Sequence, residues 1–178
     1  MEIHLTDISG LMILKNPIFQ DIRGFFQKIF TFDEFEKNKL DVGFKEFYYS
    51  VSQKDVIRGM HFQTPPCEHS KLVFVNHGSV IDVVVDLRKL SPTYGQYFSI
   101  ELNDSSGVAL YIPIGFAHGF CAKMDNTIVN YLQTSIYSKE NDTGILYNSF
   151  GFDWQVKNPI LSERDLAFQS FHHFKTPF

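Results

Sequence analysis

An antiparallel β-barrel or jelly roll, all-β apart from a few short helices, is the fold class this sequence predicts, and three observations predict it. Runs rich in Ile, Val, Tyr and Phe are short and follow one another at regular spacing. Turn residues punctuate them. Helical periodicity is almost absent. Residues 31–40 carry the one helical pattern, with Thr31 as N-cap and Asp33 and Glu34 in the first turn. Residues 71–76 (KLVFVN), the turn signal His77-Gly78 and residues 79–87 (SVIDVVVDL) together predict a hairpin. Its second strand is apolar enough to be buried on both faces. Residues 97–102, 109–112 and 127–134 share the same strand-like enrichment. From Asn158 onward the pattern fits either a helix or a packed tail.

At 178 residues the chain is expected to form one domain, 1–178, with a core that needs no disulfide. A hydrophobic fraction of 44% with 19 Phe excludes disorder. A net charge of −4 without a Lys/Arg run excludes a nucleic-acid partner. A few arginines in a cleft would still be enough for a phosphorylated small molecule. Cys67 and Cys121, far apart, read as two free thiols of a reducing compartment. No basic leader precedes an apolar run, and no stretch reaches the roughly 20 apolar residues that cross a bilayer. The expectation is a soluble cytoplasmic protein with no membrane partner.

Two segments carry chemistry. The first is Arg58-Gly-Met-His61-Phe-Gln63-Thr-Pro-Pro with Lys71 downstream; the second is Gly107-x5-Pro113-x-Gly115-x2-His118. The second spacing is that of a cupin signature, in which the histidine after a Pro-x-Gly turn points into the barrel. The matching first signature would be His-x-His followed by glutamate. Here Gln63 takes the second position and Glu68 lies beyond a double proline, so three or four ligands for a transition metal are not assembled. The residues predict a barrel without a metal. Histidine can take a proton near neutral pH, lysine can stabilise charge developing on a carbonyl oxygen, and arginine grips phosphate bidentately. Together these types suit proton abstraction beside a ketone. Tyrosine can return the proton from the opposite face.

Taken with Asp82-Val-Val-Val-Asp86-Leu-Arg88, Ser91-Pro-Thr-Tyr-Gly95 and Ile112-Pro-Ile-Gly-Phe-Ala-His118-Gly-Phe120, these segments closely resemble the dTDP-4-dehydrorhamnose 3,5-epimerases from about residue 19 to 165. The resemblance implies an epimerase that inverts C3, and in the family also C5, of a nucleotide-linked 4-keto-6-deoxy sugar through an enolate, for deoxysugar and surface-polysaccharide biosynthesis. It implies no cofactor, and a homodimer that exchanges N-terminal strands. It assigns His61 as base, Asp165 as its carboxylate partner, Tyr131 as acid and Lys71 as stabiliser of the enolate oxygen. Arg23 and Arg58 become diphosphate contacts, with Phe19, Gln63, His118, Tyr137 and Glu140 around the substrate.

Three positions depart from the family. Lys28 stands where glutamate is usual, Glu46 where glutamine is, and Tyr48 where asparagine is. In the family they lie near the nucleotide, so a changed substrate is expected, either dTDP-linked or a GDP-linked 4-keto-6-deoxy hexose or heptose. A metal-dependent cupin enzyme and a non-catalytic sugar-nucleotide-binding barrel are the competing readings. His4, His69, His77, His172 and His173 lack a motif and are expected at the surface. Asp82 and Asp86, on one strand with Arg88 following, are expected to form a structural network.

Overall fold

The computed structural model describes residues 1–178. Thirteen strands carry the fold. A six-stranded sheet has the order β1 (Glu2–Leu5), β2 (Met12–Lys15), β10 (Val108–Ile112), β7 (Lys71–His77), β12 (Thr127–Gln133), β5 (Glu46–Ser52). A five-stranded sheet has the order β13 (Asp142–Gly144), β6 (Ile57–Gln63), β11 (Phe116–Ala122), β8 (Ser79–Asp86), β9 (Tyr97–Asn103). The ladders are antiparallel throughout. A separate hairpin, β3 (Ile18–Asp21) and β4 (Gly24–Gln27), projects with Phe19, Phe25 and Phe26 exposed.

The two-residue period of a strand explains the layering, because alternate side chains face opposite sides. Val73 and Val75 of β7, Val80 and Val84 of β8, Phe116 and Phe120 of β11, and Val129 of β12 meet between the sheets in one core. The intervening residues form two outer cores. Leu72, Phe74 and Ala109 pack under α1 (Phe32–Lys37) through the fully buried Phe35. Val83, Val85, Ala117 and Cys121 pack under residues 145–178, with Ile145, Phe150 and Trp154 inserted from that segment. A strand buried on both faces is apolar at most positions, as residues 79–87 are; its two buried charges, Asp82 and Asp86, each find a partner.

Two expectations about local structure are corrected. The α1 helix follows Thr31, but the Thr31 side chain makes no capping bond. Residues 71–87 do not pair as a hairpin: β7 lies between β10 and β12, and β8 between β11 and β9, in the other sheet. The chain crosses from sheet to sheet at Gly78, whose φ of +80° suits the reversal. Its turn signal was correct about direction and silent about which strand follows alongside. The chain beyond residue 158 supplies both alternatives, a short helix α2 (Glu163–Leu166) and a tail that lays Phe174 and Phe178 edge-on against Phe62. No helix is long and apolar enough to cross a membrane.

Candidate active site

The inner faces of the strands converge on one cavity of about 770 Å³. From the five-stranded sheet, β6 sends Arg58, His61 and Gln63, and β11 sends His118. From the six-stranded sheet, β7 sends Lys71, β12 sends Tyr131 and Gln133, and β5 sends Glu46, Tyr48 and Ser50. The same alternation that fills the core therefore turns polar toward one end of each strand. A backbone device sets the aim of β6. Gly59 has φ +134°, and a Cβ there would sit 2.6 Å from Gly119 Cα and 2.9 Å from the His118 carbonyl oxygen. Only glycine lets β6 and β11 approach so closely. The ladder shifts register at this point, between His118 and Phe120, which leaves His61 directly opposite His118.

Both histidines are held by a carboxylate. His61 Nε2 lies 2.8 Å from Asp165 Oδ1, and the Gly59 N–H donates to Asp165 Oδ2 at 3.0 Å. Ser162 caps α2 by accepting the Asp165 N–H, which fixes the carboxylate under β6. Burial alone raises the Asp165 carboxyl, but the hydrogen bonds from His61 and Gly59 outweigh it and hold it below the usual carboxylate range. Asp165 thus stays ionised and accepts from the Nε2–H, which presents the lone pair of Nδ1 as a base. His118 Nε2 lies 2.8 Å from Asp82 Oδ2, and this second pair is almost wholly buried.

Lys71 is buried and donates to the His61 carbonyl oxygen at 3.3 Å. Desolvation brings its ammonium down to about 8, partly offset by the charges of Asp142 and Asp82, so it remains mainly charged at neutral pH. On the opposing sheet Tyr131 is 7% exposed with its hydroxyl 3.1 Å from Ser50 Oγ. Burial pushes this phenol far up, so it is a neutral proton carrier. His61 and Tyr131 thus line one cavity from different sheets, with the Lys71 ammonium beside the His61 backbone.

The structure gathers His61, Asp165, Lys71, Tyr131, Arg58, Gln63, His118, Tyr137, Glu46 and Tyr48 around or directly behind the cavity. Gln63, however, is committed to the protein: its amide donates to the Cys67 carbonyl at 2.8 Å and accepts the Ser138 N–H at 2.7 Å. Four expected site residues are elsewhere in this chain. Arg23 pairs with Asp21 in the exposed turn of the β3–β4 hairpin, and Phe19 and Lys28 border a separate surface pocket. Glu140 is exposed on the loop before β13.

Two further readings are corrected. His69 is buried, not at the surface, with Nδ1 3.0 Å from Ser135 Oγ; burial and the neighbouring Lys71 charge drive it down to about 3, so it is neutral. Asp86 does form the expected network, with Arg88, Ser91 and Thr93, but Asp82 belongs to the cavity wall through His118. Sequence reasoning also missed Ser50, Gln133, Asp142 and Arg164. Strand alternation from Tyr48 would have found Ser50, and alternation from Tyr131 would have found Gln133. No group of three or more His, Cys, Asp or Glu side chains converges as metal ligands.

Comparisons with known proteins cover nearly the whole chain. The family model described as dTDP-4-dehydrorhamnose 3,5-epimerase matches residues 5–173. The dTDP-4-dehydrorhamnose 3,5-epimerase of Shigella flexneri is 39% identical over 174 residues, 96% of each chain. The crystal structure of the dTDP-6-deoxy-D-glucose-3,5-epimerase of Legionella pneumophila, in complex with dTDP-4-keto-L-rhamnose, superposes with a TM-score of 0.93 at 34% identity, covering 98% of this chain and 94% of that one. A 3'-monoepimerase from Streptomyces bikiniensis, solved with dTDP-quinovose, gives a TM-score of 0.89 at 26% identity, covering 94% and 86%.

Proposed function

This chain belongs to the dTDP-4-dehydrorhamnose 3,5-epimerase family and is a sugar-nucleotide epimerase; from that premise we propose that His61, Asp165, Lys71 and Tyr131 carry the reaction. One observation supports this assignment above the others. The His61–Asp165 pair and Tyr131 stand on opposing sheets across one cavity, with the buried Lys71 beside the base. The substrate is a 4-keto-6-deoxy sugar linked to a nucleoside diphosphate. Its C4 carbonyl acidifies the protons on C3 and C5. His61 Nδ1 takes such a proton while Asp165 steadies the imidazolium, and the released electron pair moves onto the C4 oxygen. Lys71 offsets that charge. Tyr131 then protonates the carbon from the other face, and the stereocentre is inverted. Solvent returns both groups to their starting protonation.

The active unit is a cytoplasmic homodimer. Arg23 and Phe19 can reach a substrate only if the β3–β4 hairpin of a second copy lies over the cavity. The exposed Phe19, Phe25 and Phe26 of that hairpin and the exposed Phe47 and Tyr49 on edge strand β5 are the apolar surfaces such an exchange would cover. The free thiols Cys67 and Cys121 fit a reducing compartment.

Glu46 and Tyr48 lie on the Tyr131 side of the cavity and are hydrogen-bonded to the protein there. The nucleotide is a separate question: thermal-shift titration with dTDP and with GDP names it by which one stabilises the protein. Proton NMR in D₂O with dTDP- and GDP-linked 4-keto-6-deoxy sugars tests the activity itself. Deuterium is expected at C3, or at C3 and C5, with inverted product. Binding without any exchange would overturn the catalytic assignment in favour of a binding barrel.

A further inference from the structure

The inner face of β5 is built around Tyr131. The β5–β12 register places Tyr48 directly opposite Tyr131, and the two rings stack with centroids 4.8 Å apart and planes 18° from parallel. The Tyr48 ring is itself tethered: its hydroxyl donates to Gln133 Oε1 at 3.1 Å, and the Gln133 amide donates to Glu46 Oε2 at 2.7 Å. The other Glu46 oxygen accepts the Tyr137 N–H at 2.9 Å, so the chain of bonds is anchored in backbone. Glu46 and Tyr48 are two of the three departures from the family pattern, and Gln133 of the β12 wall links them.

A tyrosine has two side-chain torsions, and a flat ring tethered against one face restricts the second, leaving the hydroxyl little freedom to swing. Protonation of carbon needs the donor oxygen within about 3–3.5 Å of its target. C3 and C5 flank the same carbonyl, so the tilt of the Tyr131 ring selects which of them the hydroxyl can reach. We propose that Tyr48 is a positioning residue that sets at which carbon Tyr131 completes inversion. This rests on the reading of Tyr131 as the acid.

Exchange and inversion report different groups: deuterium uptake follows the base, and inverted product follows the acid. Both are measured at C3 and C5 by NMR in D₂O for wild type, Tyr48→Phe, Tyr48→Asn and Tyr48→Leu. Tyr48→Phe keeps the stacked ring and loses its tether to Gln133, so the ratio of inversion to exchange is expected to change much less than in Tyr48→Asn. Tyr48→Asn and Tyr48→Leu remove the flat ring and are expected to lower that ratio at least about tenfold at the carbon wild type inverts best, as sub-ångström to ångström misplacement does, with exchange retained. Equal loss of exchange and inversion, an unchanged ratio in all three variants, or a Tyr48→Phe effect as large as Tyr48→Asn would overturn the proposal. A wild-type enzyme that exchanges without inverting at either carbon overturns instead the acid role on which it rests.

Discussion

Two histidine–carboxylate pairs stand in the same sheet, opposite each other across β6 and β11, and both are 2.8 Å long. They differ in surroundings. The His61 side chain is 31% exposed and its carboxylate arrives from α2, far along the chain; the His118 side chain is 4% exposed and its carboxylate is a neighbour on β8. The open pair can meet a substrate proton and exchange it with solvent. The closed pair shapes the wall. Distance alone does not separate the two pairs; access does.

Substitution at the first pair is where this contrast should break most sharply. His61→Ala is expected to lower exchange at both carbons by about 10²–10⁴-fold with the fold retained, and D₂O exchange kinetics read it directly. Asp165→Ala leaves the base present but unoriented, and a loss of about 10–100-fold is expected, the range seen when other imidazoles lose an orienting partner. Asp82→Ala should act on the other axis. It strands the buried His118 donor at a cost of about 1–3 kcal/mol, visible as a lowered unfolding midpoint in denaturant, with a smaller loss of rate than Asp165→Ala. If Asp82→Ala were the more damaging of the two to exchange, the division of roles would be reversed.

Smaller effects sharpen the picture through pH. In the proposed mechanism Lys71 acts as the cation, so turnover should fall as pH rises through about 8, and the falling limb should disappear in Lys71→Met, whose residual rate stays low throughout. His69 tests stability. It is neutral when folded down to about 3 and takes a proton near 6.5 when unfolded, so below 6.5 the unfolded chain binds the extra proton and stability drops as pH falls. Melting curves of His69→Gln should be flatter between pH 6.5 and 4 than those of wild type.

Much of this was legible in the sequence. The apolar run of residues 79–87 and the β-rich composition of 127–134 announced strands and a buried face, and the spacing of Arg58–Gln63 and of Gly107–His118 located two cavity strands. What the sequence withheld is long-range. His77-Gly78 announces a reversal, but the partner of β7 is chosen by strands more than thirty residues away. His69 looked solvated because its burial comes from Gln63 and Ser135, on different elements. Asp82 and Asp86 share a strand face, and only the β8–β11 register shows that one meets a histidine and the other an arginine.

The segment that covers the five-stranded sheet also carries Asp165, so the carboxylate proposed to orient the base follows every strand in chain order. Every strand of both sheets leaves the ribosome before this carboxylate does. A nascent or truncated chain ending near residue 160 holds His61, Lys71 and Tyr131 but lacks the group that orients the base. The same stretch of chain thus closes the outer core and brings the proposed base its partner, so the two depend on one docking event.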